Sequence, residues 1–264
     1  MLDFHNHLIP AVDDGAGSIG QSRDALHAMA AQGVDQIICS PHFEASLTRN
    51  PHAFGPRMAA IDRGWTELHA LAEAEFPALR VERGVELMLD IPDPDLSDPR
   101  IRLAGTNFVL IEFPMMSVPP NSAHALQQLV DAGWHVILGH PERYYGLAQR
   151  LELAAEWRAA GAFLQVNAGS LIGRYGPEPK RLARHILERG LASYIASDFH
   201  ARGPLLLESA RMEIVETGGE EQARRLLDVN PARVLSGQAP QAVSAVRWSA
   251  PGDRWMDRIR RAFR

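Results

Sequence analysis

The chain has 264 residues, of which 46% are hydrophobic, and a formal net charge of −5. This length can bury a sizeable core in one or two domains, and α/β barrels of this size often form a single domain. The negative charge provides no overall basic field for nucleic acid, the single cysteine excludes an internal disulfide, and no segment approaches the ~20 apolar residues of a membrane span. We therefore expect a cytoplasmic globular protein that does not bind nucleic acid.

Predicted strands alternate with predicted helices along most of the chain. Apolar, β-rich runs predict seven strands, at about residues 1–5, 34–40, 79–87, 106–113, 134–140, 162–168 and 194–200. Helices are predicted between them at about 19–32, 57–75, 122–132, 147–160 and 179–189, with further helical segments to about 235. The alternation is typical of parallel βαβ units, and seven strands suit a barrel better than a small open sheet.

The carboxyl ends of the predicted strands carry most of the chemically active side chains. In chain order these ends read DFHNH, CSPHFE, GVEL, LIEFP, LGHPER, QVNAGS and ASDFH. Active sites of α/β barrels and sheets lie at this edge, so the side chains should converge. A mixture of imidazoles and carboxylates suits zinc, manganese or iron. The candidate ligands at these ends are His5, His7, His42, Glu86, Glu112, His140, Asp198 and His200.

The strongest single signal is the pair His5 and His7. Residues two apart on a strand point to the same face, so both imidazoles can reach one ion, and Asp198 and His200 repeat this spacing. A lone histidine at a strand end is more often structural, so the joint occurrence carries the prediction. Surface or structural roles are expected for the other histidines: His27, His52, His69, His124, His135 and His185.

Several motifs together resemble a known family. The segments DFHNHLIPAVDDG, SPHF, GVEL, LIEFP, GHPERY, QVNAGSL and ASDFH, in this order, resemble the polymerase and histidinol phosphatase (PHP) superfamily. They most closely resemble its bacterial metal-dependent protein tyrosine phosphatases of capsule and exopolysaccharide biosynthesis. The similarity spans about residues 1–236. It implies a single-domain, distorted (β/α)7 barrel that holds three divalent metal ions, usually manganese, with iron, zinc and magnesium as alternatives.

The resemblance also implies which residues bind the metal ions. Glu82 competes with Glu86 because the two share a strand face, and Glu86 is preferred because it ends the predicted strand and matches the family motif. The implied sites are formed by His5, His7, Glu86 and Asp198, by Glu86, Glu112 and His140, and by Asp14, His42 and His200.

The implied reaction is hydrolysis of phosphotyrosine on a bacterial tyrosine kinase. Arg143 and Arg202 match family arginines that bind the phosphate, and His42 or His200 could assist proton transfer. Cysteine-based phosphatase chemistry is excluded, because it needs an arginine six positions after the cysteine, where Cys39 is followed by Ala45.

Three other functions remain open. One is a small-molecule phosphatase of the histidinol-phosphate type, which would favour a closed pocket. Another is a nuclease, against which the acidic balance counts. The third is a catalytically silent binding partner of a kinase, against which the complete ligand set counts. Activity on a phosphotyrosyl peptide compared with histidinol phosphate would best separate the enzymatic functions.

Residues 237–264 do not match the family pattern and are predicted to form a basic, amphipathic extension. As a helix, residues 252–264 would place Trp255, Met256, Ile259 and Phe263 on one face, and their five arginines and two aspartates give a local charge of +3. Such a helix could bind a partner or the anionic inner surface of a membrane. Alternatively, its apolar face packs on the barrel.

Overall fold

The structure, a computed structural model, describes residues 1–248. All strand pairs in this range are parallel, as the predicted βαβ units require. Three strands form one sheet in the order β1-β2-β4, and six form a second sheet in the order β3-β5-β6-β7-β8-β9. The strands are β1 Leu2–Asp3, β2 Gln36–Cys39, β3 His42–Glu44, β4 Arg80–Arg83, β5 Glu86–Met88, β6 Phe108–Glu112, β7 His135–Gly139, β8 Phe163–Asn167 and β9 Ala192–Ala196.

Helices connect these strands. Ser18 caps the first helix, its Oγ accepting a hydrogen bond from the backbone N–H of Gln21 at 3.3 Å. The second helix begins before the predicted residue 57, because Pro51 at its first turn has a backbone angle already suited to a helix. The helices are α1 Ile19–Ala31, α2 Pro51–Glu75, α3 Ser122–Asp131, α4 Leu153–Ala159, α5 Ala168–Ile172, α6 Pro177–Glu188, α7 Leu207–Val215, α8 Glu220–Arg224 and α9 Asn230–Leu235.

The predicted helix at 147–160 is wrong in its first half. Residues Leu147–Gln149 form only a short 3-10 turn, and α4 starts at Leu153. Arg150 interrupts the helical path between them, with φ −141° and ψ 59°. Helix α5, which follows β8 directly, was not predicted.

Two predicted strands differ from the observed ones. The run 34–40 contains β2 alone, and β3, which was not predicted, begins at His42 after a break at Pro41. The run 79–87 becomes β4 and β5, so Glu86 begins a strand instead of ending one. Pro41 lies at the first break and has no N–H for the ladder, although its carbonyl accepts from Glu86 N at 3.0 Å. Gly84 lies at the second break, where an added Cβ would come within 3.0 Å of Leu103 Cα.

Backbone hydrogen bonds also join the end of the sheet order to its beginning. Asn6 forms a parallel bridge with Phe199, Asp198 N donates to His5 O at 2.8 Å, and His7 N donates to Phe199 O at 2.9 Å. The buried carboxylate of Asp3 strengthens this junction by accepting from Ser197 N and Oγ at 2.8 and 2.7 Å. The seven predicted strand positions thus follow one another around a ring, consistent with the predicted distorted barrel.

Successive side chains along each strand point alternately into two buried clusters, and this alternation also positions one residue of the site. Phe108, Leu110, Ile137 and Tyr194 pack together with Val234 of α9 in the smaller cluster. The intervening residues of the same strands pack in the larger cluster with the helices. Two residues beyond Leu110 is Glu112, so the alternation that fills the barrel also directs a carboxylate inward at its carboxyl end.

Residues 237–248 form no helix or strand but pack against the barrel. Val243 and Val246 are buried, and the Arg184 guanidinium of α6 lies 4.9 Å from the centroid of the Trp248 ring. The predicted amphipathic segment at 252–264 lies outside the described residues. Within residues 1–248, no helix is both long enough and apolar enough to cross a membrane.

Candidate metal centre

A compact inner group forms beside the bridge between Asn6 and Phe199. His5 and His7 flank the bridge residue Asn6, and both imidazoles are fully buried. His5 Nε2 lies 3.1 Å from Glu86 Oε1 and 3.4 Å from Asp198 Oδ1. His7 Nε2 lies 3.4 Å from Glu86 Oε2 and 3.3 Å from Asp198 Oδ1. The two histidines therefore face the same pair of carboxylates.

Asp198 and His200 both reach the site, but from a turn after β9 and not from two positions of one strand, as was predicted. Strand β9 ends at Ala196, and Asp198 has a left-handed backbone with φ 50°, so the same-face argument is wrong for this pair. A left-handed non-glycine residue costs on the order of 1–3 kcal/mol and persists where its surroundings hold it. Here, the His200 ring stacks on His7 with centroids 4.0 Å apart.

His42 connects the inner group to the surface. Its Nδ1 lies 3.1 Å from Glu86 Oε2 and 3.0 Å from Glu112 Oε1. Its Nε2 lies 3.4 Å from Asp14 Oδ1, and His200 Nε2 lies 3.3 Å from the same oxygen. His42 is thus shared between a buried pair of carboxylates and an exposed one.

Three overlapping groups of residues could therefore each hold a metal ion. Within each group, the potential ligand atoms all lie within 4.8 Å of one another. Two of the groups differ from the implied sets. His42 takes the place of His140 beside Glu86 and Glu112, although His140 Nε2 lies 2.8 Å from Glu86 Oε1, and His7 joins Asp14, His42 and His200. Glu82, the competitor of Glu86, pairs with Arg80 on β4, in keeping with the preference for Glu86. The groups are His5, His7, Glu86 and Asp198; His42, Glu86 and Glu112; and His7, Asp14, His42 and His200.

Three further side chains orient the cluster, and sequence reasoning missed them. Asp13 Oδ2 lies 2.7 Å from His7 Nδ1, and Gln165 Oε1 lies 2.8 Å from His5 Nδ1. Asn167 Nδ2 donates to Asp198 Oδ2 at 2.7 Å. Metal-binding histidines usually donate their other ring N–H to such an oxygen, which fixes the ring orientation. The missed signal was two polar residues two apart in the apolar strand 162–168.

The carboxylates and imidazoles of the inner group shift one another's pKa values. Burial alone would raise the pKa of Glu86 and Asp198, but nearby histidines, His5 first, lower both pKa values well below the usual range. Burial alone would lower the pKa of His7, but Asp13 and the other carboxylates raise it well above its usual value. The raised pKa of His7 and the lowered pKa values of Glu86 and Asp198 favour the ion-paired form of these residues.

The buried polar atoms fit metal ligation. Among the described residues, several cluster atoms are buried without a hydrogen bond of acceptable geometry, and burial of unpaired polar atoms is unfavourable. Nitrogen and oxygen donors in this combination suit manganese, iron or zinc. The atoms are His5 Nε2, His7 Nε2, His42 Nδ1, Glu86 Oε2 and His140 Nδ1.

Both predicted arginines lie beside the cluster. Arg143 Nη1 donates to Asp198 Oδ2 at 2.6 Å, and its guanidinium lies 4.3 Å from the centroid of the Tyr175 ring. Arg202 is more exposed and donates from Nη2 to Asp14 Oδ2 at 3.1 Å. Both line a cleft of about 180 Å³ next to the cluster. The remaining histidines lie in none of the three potential metal groups.

The parallel α/β fold and this clustered carboxylate–histidine site define a protein with a candidate metal centre at the ends of its parallel strands. The chain belongs to the family described as capsular polysaccharide synthesis, CpsB/CapC, whose match covers residues 1–236. The resemblance to the capsule branch is thereby confirmed.

Named relatives and a solved structure agree with this membership. The chain is 30% identical to tyrosine-protein phosphatase YwqE of Bacillus subtilis, over 76% of this chain and 77% of the relative. It is 26% identical to tyrosine-protein phosphatase CpsB of Streptococcus pneumoniae, over 90% and 99%. A chain from the crystal structures of YwqE and CpsB, described as unique metal-dependent tyrosine phosphatases, superposes with a TM-score of 0.80 at 27% identity, covering 94% of this chain and 100% of that one.

Proposed function

We propose that this protein is a metal-dependent protein tyrosine phosphatase that acts on a phosphorylated bacterial tyrosine kinase and so regulates polysaccharide biosynthesis. The observation that carries the proposal is the overlap of three potential metal groups, with Arg143 bonded to one of their carboxylates. Family membership and the names of the relatives support the same reaction. The proposed place of action is the cytoplasm.

The proposed cofactor is a set of three divalent ions, manganese in preference to iron, zinc or magnesium. His5, His7, Glu86 and Asp198 would hold one ion, and Asp14, His42 and His200 another, as the motifs imply. The remaining ion would lie at Glu86 and Glu112. His140 was implied as its third ligand, but the His42 contacts with both carboxylates support His42 in that role as well.

Clustered divalent ions, when bound, supply hydroxide near neutral pH and offset charge on phosphate oxygens. The chain itself contributes binding and orientation. Arg143 and Arg202 line the cleft with guanidinium groups suited to bidentate contacts with phosphate. Asp198 and the ring of Tyr175 hold the Arg143 guanidinium in place. Gly169 leaves room for that ring, since an added Cβ would lie 3.0 Å from Tyr175 Cε2.

Proton transfer to the leaving group is a smaller requirement in this reaction. Tyrosine leaves as a phenol with a pKa near ~10, so it departs more readily than an alkoxide. His42 and His200 line the same side of the site and are the imidazoles placed to assist. Burial, together with the charge of His7, lowers the pKa of His200.

The cysteine has no part in this chemistry. Cys39 ends β2 and is fully buried, and burial raises the pKa of its thiol. A buried, protonated thiol is not a nucleophile. A folded Cys39→Ser variant should therefore retain turnover, and its complete inactivation would point to thiol chemistry instead.

The decisive assay compares substrates and metals on the same preparation. Manganese-loaded protein should hydrolyse a phosphotyrosyl peptide faster than histidinol phosphate or a phosphoseryl peptide. Chelation should abolish the activity, and Mn²⁺ should restore it. Full activity in a verified metal-free preparation would refute the metal requirement, and preference for histidinol phosphate would favour the small-molecule alternative.

Contact of residues 252–264 with an anionic membrane surface or a protein partner remains a proposal. Deletion of residues 250–264 should abolish binding to anionic vesicles while leaving the melting temperature unchanged. A large fall in melting temperature, with no vesicle binding by the intact protein, would instead indicate that the segment packs on the barrel.

A further inference from the structure

The mouth of the metal cleft has an apolar edge. Among the residues that the structure describes, large hydrophobic side chains are strongly exposed at Met115 (88%) and Tyr145 (75%). Met115 and its neighbour Met116 line a cavity of about 260 Å³ together with His42, Glu112 and other residues of the site. Tyr145 does not line this cavity but is joined to Met116 by a backbone hydrogen bond. We call Met115, Met116 and Tyr145 the apolar lip.

Backbone contacts fix the lip in one shape. Tyr145 N donates to Met116 O at 2.8 Å, and Ser117 forms a parallel bridge with Tyr145. Met116 packs against the main hydrophobic core, whereas Met115 projects into solvent. The lip is therefore anchored at Met116 and exposes Met115, the residue before it.

The conformation of the lip is not the one that its sequence prefers. Met115 and Met116 both have left-handed backbones, with φ 54° and 52°. Non-glycine residues rarely adopt this region, and such outliers concentrate at functional sites. Two consecutive examples beside a polar cleft, one carrying a solvent-exposed side chain, indicate that the exposure of Met115 serves binding.

The chemistry of the lip selects its occupant. Methionine is flexible and polarisable, adapts to irregular partners and makes favourable contacts with aromatic rings. A phosphate group held at Arg143 leaves the rest of the substrate at the mouth of the cleft, because Arg143 lines the same cavity as Met115 and Met116. A small phosphomonoester has little surface beyond the cleft, whereas a polypeptide has neighbouring side chains.

We propose that the apolar lip binds apolar or aromatic side chains that flank the phosphotyrosine of a protein substrate, and so makes the enzyme favour such sites over small phosphomonoesters. This inference rests on the proposed function and identifies the substrate class for the same site. Met115, Met116 and Tyr145 are specificity-determining residues in this scheme, and the metal ligands and arginines remain the groups that act on the phosphate.

The test compares three substrates with the manganese-loaded protein. These are a phosphotyrosyl peptide with leucine and phenylalanine flanks, the same peptide with aspartate and serine flanks, and p-nitrophenyl phosphate. In Met115→Gln and Tyr145→Ser, kcat/KM for the apolar peptide should fall about fivefold to tenfold relative to p-nitrophenyl phosphate, because one apolar contact is lost. The change should lie mainly in KM, and preference for the apolar peptide should shrink.

Met212→Gln is the matched control. Met212 is another exposed methionine, 45% accessible, and lies on α7. This variant should retain the substrate ratios of the unmodified protein, and melting temperatures should show that all variants fold. Equal losses on all substrates, or unchanged ratios in both lip variants, would overturn the inference. Failure of the unmodified protein to hydrolyse either peptide would instead overturn the proposed function, and the inference with it.

Discussion

The inner and outer parts of the metal centre differ in how they are built. His5, His7 and Glu86 are fully buried, whereas the side chains of Asp14 and Arg202 are 59% and 62% exposed. His5 and His7 each lie close to both Glu86 and Asp198. Asp14 lies 3.3 to 3.4 Å from His42 and His200, and Arg202 bonds to Asp14 at 3.1 Å. A preorganised inner group suits tight metal binding, and an adjustable outer group suits a substrate that must enter and leave.

The orienting residues support the inner part of the site more than the outer part. Gln165 and Asn167 project from β8, and Asp13 bonds to His7 while also accepting from His42 N at 3.1 Å. Among residues 1–248, the side chain of Asp14 contacts His42, His200 and Arg202 but remains mostly exposed, as does that of Arg202. Substitutions should therefore have effects that decrease from the inner ligands, through the orienting residues, to the outer arginine.

The largest effect is expected at the inner ligands. His5→Ala and Asp198→Ala should each lower kcat/KM by more than the roughly 100-fold typical of losing an outer partner, because a direct ligand is lost. Metal content, measured by elemental analysis, should fall in parallel. His27→Ala and His69→Ala are controls outside the potential metal groups. Comparable losses in all four variants would show that the site is wrongly located.

The next largest effect is expected at Asp13, which orients His7. Asp13→Asn removes the charge that raises the pKa of His7 and holds its ring at 2.7 Å. Metal affinity or activity should fall by about 10–100-fold. Asp24→Asn, on the exposed face of α1, is the control of the same chemistry. An unchanged metal affinity in Asp13→Asn would mean that the inner group does not depend on its surroundings.

The two arginines differ in burial: the Arg143 guanidinium is mostly buried, whereas that of Arg202 is mostly exposed. Arg143→Ala should weaken inhibition by inorganic phosphate about tenfold or more, since its charged hydrogen bonds form in a partly buried place. Arg202→Ala should weaken it only a few-fold, because exposed charge contacts contribute little. Metal content and melting temperature serve as controls. Unchanged phosphate inhibition in both variants would remove the arginines from the phosphate site.

The smallest effect is expected in the pH dependence of the metal-free protein. Burial alone would lower the pKa of His42, but the carboxylates of Glu112 and Glu86 raise it to about 10. A raised folded-state pKa contributes stability that is fully present below about pH 6.5 and is lost as pH rises through about 10. Metal affinity should increase over the same range, because metal binds the neutral imidazole.

Thermal melts of the metal-free protein between pH 6.5 and 10 can measure this effect. The melting temperature should fall with pH, and it should fall less in His42→Gln than in the unmodified chain. His27→Gln should follow the unmodified chain. Parallel curves for His42→Gln and the unmodified chain would show that His42 gains nothing from its carboxylate neighbours.

Much of the fold could be predicted because its signals are local. Apolar runs of strand length alternate with helical stretches, and Ser18 with Gln21 marks the start of α1. The breaks at Pro41 and Gly84 were missed because the strands on the two sides of each break pair in different sheets. β2 and β4 pair with each other, whereas β5 pairs with β3 and β6. A run such as 79–87 contains no local sign of which neighbour each half will meet.

The candidate site could be predicted as a set of residues but not as an arrangement. Glu86 was expected at a strand end and begins one, and Asp198 was expected on a strand and lies beyond it in a left-handed turn. Both nevertheless reach the same histidines. Convergence on one edge depends on the order of the strands, which tolerates errors of a few residues in their boundaries.

The sequence by itself determined which residue types were available and near which strands they lie, because side-chain chemistry and strand periodicity are properties of neighbouring residues. Only the tertiary structure decided that His42 joins two groups, that Asp13, Gln165 and Asn167 orient the cluster, and that Met115 stands at its mouth. These contacts depend on ring closure between the segments around Asn6 and Phe199, about 190 residues apart. No local pattern encodes a distance across such a separation.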